Sequence, residues 1–310
     1  MKVYHHFKEV GRLNQPVVTA GTFDGVHKGH QQILSHIREL ADNSGGETLL
    51  FTFYPHPRMV LHPKDHGLEL LNSQEEKIKL LERFGIDHLV IHPFTKDFSR
   101  LTAVEYVRDV LVNCFQTKKL VIGYDHHFGR NREGSFQDLV EFGPLYGFEV
   151  KEIPAQEIDS VNVSSTKTRH ALKEGDIVTA NKYLGYQYPL GGKVLHGAKL
   201  GRTLGFPTAN LQISDPLKLV PADGVYAVKV LLGGQRLDGM LNIGVKPTVS
   251  EEAPRSIEVN IFNFEGDLYG QSIHLELVAR IREEFKFDNL DQLKEQLNSD
   301  RKKAIKLLAP

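Results

Sequence analysis

The chain has 310 residues, of which 40% are hydrophobic and 25% are charged, and its single cysteine is Cys114. This composition is typical of a soluble globular protein, and the length favours two domains. No apolar run reaches the roughly 18 residues of a membrane span, and we expect no secretory signal. The lone cysteine excludes an internal disulfide and fits a cytoplasmic protein. With 38 basic and 39 acidic residues, the charge balance favours a small-molecule substrate over nucleic acid or a membrane.

The first part of the chain alternates short apolar runs with helical patterns. Such runs predict buried parallel strands, here at residues 17–20, 48–53, 88–91, 120–123 and 148–153. Strands with intervening helices indicate a doubly wound α/β sheet, whose ligands bind beyond the carboxyl ends of the strands.

Two helices of this part begin at capping-box spacings, Ser73 with Glu76 and Thr102 with Glu105. In the second of these helices, residues at helical spacing predict an apolar stripe that includes the cysteine: Val104, Val107, Leu111 and Cys114.

The second part of the chain is rich in strands from about residue 187. Runs at 224–232, 236–243, 256–264 and 272–281 predict a small closed barrel or a sandwich, and Gly233-Gly234 predicts a hairpin turn. A last helix carries a stripe of Leu290, Leu293, Leu297, Ala304 and Leu308. We therefore expect one domain over residues 1–184 and another over residues 185–310.

The segment 21–30, Gly-Thr-Phe-Asp-Gly-Val-His-Lys-Gly-His, follows the first predicted strand and enters the first helix. Glycines let the backbone approach a ligand closely, and a helix N-terminus attracts phosphate. His27 and His30 are three residues apart, so both can face one anion and donate hydrogen bonds to it. A plain strand–helix turn with two surface histidines is the alternative. No Walker A loop or dinucleotide fingerprint occurs at this turn.

Three other segments follow predicted strands and so reach the same edge of the sheet. They are residues 51–57, which end in Tyr-Pro-His-Pro, residues 123–129, which include Asp125, and residues 164–169, Ser-Ser-Thr-Lys-Thr-Arg. Each alone fits a turn or a helix cap, but their shared position favours one site.

A second phosphate-handling segment lies in the strand-rich part, where five glycines fall between residues 191 and 205. Thr208 and Asn210 follow and point to one side of an extended strand. Their neutral oxygens can hold Mg²⁺ beside substrate phosphates. A glycine-rich barrel corner is the alternative.

Glu258 lies on a strand with alternating pattern, on the face of Ser256 and Asn260. Near a bound hydroxyl it could act as a general base, whereas a solvated glutamate on a half-exposed strand is the alternative.

Taken together, these segments resemble the prokaryotic bifunctional riboflavin kinase/FMN adenylyltransferases, also called bifunctional FAD synthetases, over nearly the whole chain. The motifs lie at residues 21–30, 51–57, 123–129, 164–169, 200–210, 224–227, 242–248, 268–270 and 281–288. The resemblance implies a parallel-sheet nucleotidyltransferase domain, then an antiparallel β-barrel kinase domain with a C-terminal helix. It further implies that ATP phosphorylates riboflavin to FMN in the barrel, and that a second ATP adenylylates FMN to FAD with release of pyrophosphate. The oligomeric state stays open.

The resemblance also assigns roles by position. In the transferase, His27 and His30 would be catalytic, and ATP would be held by Gly21, Phe23, Asp24, Gly29, Asp125, Ser165, Thr166 and Arg169. Flavin in the same domain would contact Phe53, Pro55, His56 and Pro57. In the kinase, Glu258 would be the base and Arg282 would lie near the flavin. ATP would be held there by Gly201, Arg202, Thr208 and Asn210, the last two also binding Mg²⁺.

Three positions depart from the family pattern. Asn162 stands where a basic residue is usual, His126 where an aromatic residue is usual, and Asn260 where a histidine is common. Two other hypotheses remain. One is a nucleotidyltransferase that uses CTP or a different phosphorylated acceptor, against which the Pro-Thr-Ala-Asn loop argues. The other is a flavin- or nucleotide-binding sensor without catalytic activity. Tight flavin binding without ATP turnover would favour this hypothesis.

Overall fold

The computed structural model describes residues 1–64, 67–123, 126–153, 163–196, 201, 204–245 and 255–309. The chain divides into two compact units, Met1–Ser164 and Ser165–Pro310. Within the described ranges, no helix is both long enough and apolar enough to cross a membrane.

The first unit is built on a six-stranded parallel sheet in the order β1-β4-β3-β2-β5-β6. The strands are β1 (Lys2–Tyr4), β2 (Val17–Ala20), β3 (Thr48–Phe53), β4 (His88–His92), β5 (Lys119–Gly123) and β6 (Glu149–Ile153). All the predicted strands are present. The prediction missed β1, because its three residues contain no apolar run and its pairing with β4 decides its conformation.

The helices of this unit are α1 (Lys28–Ser44), α2 (Pro57–Leu61), α3 (Gln74–Arg83), α4 (Ala103–Glu105) and α5 (Phe136–Tyr146). Both predicted capping boxes form, with Ser73 and Thr102 as the N-caps. Aromatic and aliphatic side chains, including Phe51, Phe115 and Leu120, pack between helices and sheet.

The predicted apolar stripe after Thr102 is wrong in part. Helix α4 continues as a π-helix over Tyr106–Val112, and beyond its end the Phe115 N–H donates to the Val110 carbonyl, five residues back, at 3.0 Å. Val104, which precedes the π-helix, is 43% exposed. Val107 and Leu111 are buried as predicted, and Tyr106 and Val110 are buried as well.

The second unit is a closed antiparallel barrel in the order β10-β11-β8-β7-β12-β9. The strands are β7 (Tyr188–Leu195), β8 (Ala209–Ile213), β9 (Gly224–Leu232), β10 (Gln235–Val245), β11 (Arg255–Ile261) and β12 (Ser272–Arg282). Gly233 and Gly234 both have positive φ and form the predicted hairpin turn. The prediction missed β7, because a proline and two glycines obscure its strand pattern. For β8 it gave only the extended backbone at Thr208 and Asn210 and no bounds.

Three helices accompany the barrel: α6 (Ser165–Lys173), α7 (Ile177–Leu184) and α8 (Leu290–Leu308). The Asn181 side chain on α7 donates to the Leu277 carbonyl of β12 at 2.8 Å, and Ala304 and Leu308 of α8 pack on apolar residues of the barrel. Helices α6 and α7 thus belong to the second compact unit, and the division of function at residues 184 and 185 stays a prediction.

Candidate active sites

The turn between β2 and α1 brings the two predicted histidines together. His27 is the N-cap of α1, and its Nδ1 accepts a hydrogen bond from the His30 backbone N–H at 3.4 Å. The two imidazole rings stack with 3.7 Å between their centroids, and Phe23 lies 4.9 Å from His30. The predicted turn residues Phe23, Asp24 and Gly29 are buried here, so the turn is an ordered part of the fold rather than a surface loop.

His30 occupies an unusual electrostatic position. Its Nδ1 is shielded from solvent and has no hydrogen-bond partner among the described residues. Burial, followed by the charges of His27 and Lys77, holds the pKa of His30 well below its usual value. The ring is therefore a neutral imidazole near neutral pH, with one N–H to donate to a ligand oxygen.

Asp24 and Lys77 lie beside this turn. The Leu71 N–H donates to the two carboxylate oxygens of Asp24 at 3.0 and 3.2 Å. The Lys77 ammonium donates to the Thr22 carbonyl at 2.9 Å. Lys77 is not among the site residues predicted from the sequence. Its spacing of three and four residues from Leu80 and Leu81, on the buried face of α3, could have indicated it.

The residues predicted to contact flavin in the first unit follow the end of β3. Phe53 packs against Phe94 and Phe98, with ring centroids 5.4 and 5.6 Å away. His56 caps α2 by accepting the Arg58 N–H at 3.2 Å, and Pro57 begins that helix. Pro55 follows a cis peptide bond. The segment therefore continues an aromatic cluster to the carboxyl edge of the sheet.

The predicted transferase residues do not all lie in the described part of the first compact unit. Ser165, Thr166 and Arg169 lie on α6, in the second compact unit. Asp125, Arg202 and Asn162 fall outside the described residues. The grouping of Asp125, Ser165, Thr166 and Arg169 with the His27 turn stays a prediction, as does the place of Arg202 in the ATP loop of the kinase.

In the barrel, Thr208 and Glu258 are in direct contact. The Thr208 hydroxyl donates to the Glu258 carboxylate, with 3.0 Å between Oγ1 and Oε2. The pairing of β8 with β11 places Asn210 opposite Glu258. Asn260 on β11 donates to the Pro207 carbonyl at 2.7 Å and so anchors the turn before Thr208. The structure therefore assembles a hydroxyl and a carboxylate, with a carboxamide at the facing register position.

The oxygen donors at this place suit a hard cation such as Mg²⁺, which prefers carboxylate, carbonyl and hydroxyl oxygen. Thr208, Asn210 and Glu258 supply that chemistry. Among the residues that the structure describes, no group of three or more His, Cys, Asp or Glu side chains could hold a metal ion.

A cavity of about 410 Å³ adjoins Thr208. Its lining combines apolar side chains, such as Val194 and Ile261, with the polar Thr208 and Asp267. On one side lies Tyr269, whose ring stacks on His196 at 3.8 Å. A cavity of this size with both apolar and polar side chains can hold a small molecule.

Gly201 closes the loop that precedes Thr208. Its carbonyl accepts the N–H groups of Leu204 and Phe206 at 3.2 and 2.8 Å. A Cβ at position 201 would lie 2.3 Å from the Phe206 carbonyl oxygen, so only glycine permits this approach.

The Arg282 side chain interacts with other side chains of the protein. Its Nε donates to the Asp300 carboxylate at 2.9 Å, and Asp300 is completely buried. The guanidinium also lies 4.4 Å from the ring centre of Phe285. Beyond it, Glu284 accepts from Asn242 at 3.4 Å, and Asn242 pairs with Glu258 across β10 and β11. Arg282 thus fixes a segment that borders Glu258.

The chain combines a parallel α/β sheet, whose histidine turn is suited to phosphate, with a barrel that pairs a hydroxyl with a carboxylate. This combination defines a two-domain nucleotide-handling enzyme. Residues 11–167 match the FAD synthetase family, and residues 184–308 match the riboflavin kinase family. The chain belongs to the bifunctional riboflavin kinase/FMN adenylyltransferase family. The resemblance, the fold class, the substrates riboflavin, FMN and ATP, and both predicted activities in their order along the chain are confirmed.

The relatives extend along nearly the whole chain. The bifunctional riboflavin kinase/FMN adenylyltransferase of Pseudomonas fluorescens is 38% identical over 294 residues, which cover 95% of this chain and 93% of the relative. The enzyme of the same description from Bacillus subtilis strain 168 is 35% identical and covers 98% and 95%. A solved structure described as a macrolide-efflux protein from Streptococcus pneumoniae is 34% identical, covers 97% of both chains, and has a TM-score of 0.88.

Proposed function

We propose that the two reactions take place at the two sites described above. Riboflavin is phosphorylated to FMN beside Thr208 and Glu258. FMN is adenylylated to FAD beside His27 and His30, with release of pyrophosphate. The hydrogen bond between Thr208 and Glu258 carries the proposal most strongly, because it joins a phosphate-side hydroxyl to a carboxylate base.

In the kinase reaction, Glu258 takes the proton of the riboflavin 5′-hydroxyl as the oxygen attacks the γ-phosphorus of ATP. The bond from that phosphorus to the β–γ bridging oxygen breaks, and ADP leaves. Thr208 and Asn210 would hold Mg²⁺, which neutralises phosphate charge when it is bound. Positioning of the two oxygens supplies much of the rate, since no covalent intermediate is needed.

The cavity next to Thr208 is the proposed site of the ATP base in the kinase. Its apolar side chains can pack on a flat heterocycle, and Thr208 in its lining would leave the triphosphate close to Glu258. The loop closed by Gly201, together with Arg202, would wrap the phosphates. Riboflavin would lie on the other side of Glu258, against the segment held by Arg282.

In the transferase reaction, an oxygen of the FMN phosphate attacks the α-phosphorus of ATP, and pyrophosphate departs with the α–β bridging oxygen. The N-terminus of α1 attracts the phosphates, and the neutral His30 donates an N–H to an oxygen that gains charge. Gly21, Phe23, Asp24 and Gly29 shape this turn, and Asp125, Ser165, Thr166 and Arg169 would complete the ATP site. Phe53, Pro55, His56 and Pro57 would contact the flavin.

The functional boundary between residues 184 and 185 and a cytoplasmic location are parts of the same proposal. The location is supported by the lone cysteine, Cys114, because disulfides are rare in the reducing cytoplasm. Cell fractionation tests it.

The proposal is tested by following riboflavin, FMN and FAD over time after addition of ATP, with and without Mg²⁺. FMN should appear first and FAD second, and chelation of the metal should stop both. Tight flavin binding without product would instead indicate a sensor. FAD formation from CTP at the ATP rate would contradict the assigned donor.

A further inference from the structure

The turn that carries His27 contains unfavourable backbone. Phe23 and Val26 have φ of 46° and 36°, and Gly25 between them has φ of 84°. Positive φ is a genuine outlier for a bulky or β-branched residue and costs about 1–3 kcal/mol for each such position. Strain of this size persists only where the surroundings hold the backbone in place.

The turn is held by side chains from separate elements. The Thr22 carbonyl accepts from Lys77 on α3 at 2.9 Å and from Thr52 on β3 at 3.1 Å. The Val26 carbonyl accepts from Gln31 on α1 at 2.8 Å. Lys77 and Thr52 therefore act on the same atom from two directions.

Lys77 is a costly residue at this place. It is only 6% exposed, and burial lowers its pKa, which the charge of Asp24 partly restores. Replacement of a buried ionic group by an apolar side chain is often neutral or stabilising. A purely structural need would thus be met as well by leucine or methionine, whereas only a side chain with a donor can hold the Thr22 carbonyl.

We propose that Lys77 is a positioning residue for adenylyl transfer, which clamps the Thr22 carbonyl and so aims His27 and His30 at the ATP phosphates. This inference rests on the proposed site at those two histidines. Lys77 touches neither substrate in this account. It acts through the turn, and Thr52 assists it.

The full-length variant K77M tests the clamp, because methionine keeps an unbranched apolar chain without the ammonium. A misplacement of about 1 Å can cost roughly 10²-fold in rate, so kcat for FAD formation from supplied FMN should fall by up to that factor. The rate of FMN formation from riboflavin, measured on the same sample, should stay within about twofold. T52V should lower FAD formation less, since one donor to Thr22 remains. K79M, at an exposed position on the same helix, should change neither rate.

A double variant separates positioning from loss of folding. In an H30N background, K77M should cost little further activity, because a clamp cannot aim an absent imidazole. Losses that multiply would overturn the inference. H30N with undiminished FAD formation would instead refute the proposed site.

If K77M melts far below the parent protein, its lower rate does not separate positioning from unfolding, and T52V provides the test. T52V should be folded, should form FAD more slowly than the parent, and should form FMN at the parent rate. A folded T52V at the parent rate, or a folded K77M at the parent rate, would overturn the clamp while leaving the histidine site intact.

Discussion

The Thr208 hydroxyl and the Glu258 carboxylate are joined by a hydrogen bond of 3.0 Å across 50 positions of sequence. Pairing of β8 with β11 creates this contact. The contact places the proposed base next to the proposed metal-binding hydroxyl. The group that would accept the proton and the group that would hold the metal beside the phosphates are therefore neighbours in the barrel.

Replacement of Glu258 by glutamine should remove the base and keep the shape of the side chain. General-base catalysis contributes about 10²–10⁴-fold in rate. The rate at which E258Q forms FMN from riboflavin should therefore be lower than that of the parent by a factor in that range. FAD formation from supplied FMN should not change. The exposed Glu265 provides the matched control, E265Q, which should leave both rates as they are. Equal loss of both activities in E258Q would contradict separate sites.

Removal of the Thr208 hydroxyl should weaken the use of Mg²⁺. T208V keeps the branched shape but loses the oxygen, while T208S keeps the oxygen. A hydrogen bond to a charged group is worth about 1.5–3 kcal/mol, and we take the contact of the hydroxyl with Mg²⁺ to be of similar size. T208V should therefore need roughly tenfold or more Mg²⁺ for the half-maximal kinase rate. T208S should stay close to the parent. A kinase titration with Mg²⁺ at fixed ATP measures this, and an unchanged midpoint in T208V would exclude Thr208 as a ligand.

His27 has a capping role and a proposed catalytic role, which two variants separate. Loss of an N-cap costs about 1 kcal/mol, so H27A should lower the melting temperature. H27N retains a capping side chain and should melt near the parent. Both should lose FAD formation, because neither carries an imidazole. If H27N keeps the parent rate, His27 serves the helix alone.

The pair of Arg282 and Asp300 should matter for both the barrel and the kinase. Their side chains are 13% and 0% exposed, and removal of one partner from a buried pair costs about 3–5 kcal/mol. We expect D300N to be less stable and to raise the KM for riboflavin, while the KM for ATP changes little. E295Q, at an exposed position of α8, is the control. An equal rise of both KM values would show that Arg282 does not act on the flavin side.

His92 should make the first unit sensitive to acid. It is 4% exposed, and burial, followed by the neighbouring His6, lowers its pKa to about 4. Between its usual pKa of 6.5 and about 4, the unfolded chain binds the proton and the folded chain does not. Stability is therefore full above that window and falls with decreasing pH inside it, by about 1.4 kcal/mol per pH unit.

Urea unfolding at pH 7.5 and pH 5, followed by circular dichroism, checks the role of His92. The parent protein should lose more stability between these pH values than H92F, whose ring suits the surrounding Phe7 and Phe98. H5Q, at an exposed histidine, should behave as the parent does. If the stability of H92F depends on pH in the same way as that of the parent, the loss of stability in acid arises from groups other than His92.

The sequence alone determined the features that depend on neighbours along the chain. Strand runs, capping boxes, the Gly233-Gly234 turn and the placement of His27 and His30 at a helix start follow from local periodicity and side-chain chemistry. The family motifs are of the same kind, since each lies within about ten residues. That was sufficient for the fold class and for both activities.

Only the tertiary structure decided what depends on distant partners. β1 and β8 take their conformation from paired strands, and Val104 is exposed although its spacing predicts a place on the apolar stripe. Arg282 is held by Asp300, and Lys77 is buried against Thr22. For the strands, Arg282 and Lys77, the deciding contact joins residues well separated in sequence. Their proximity arises from the packing of sheet, barrel and helices and leaves no periodic signal in the chain.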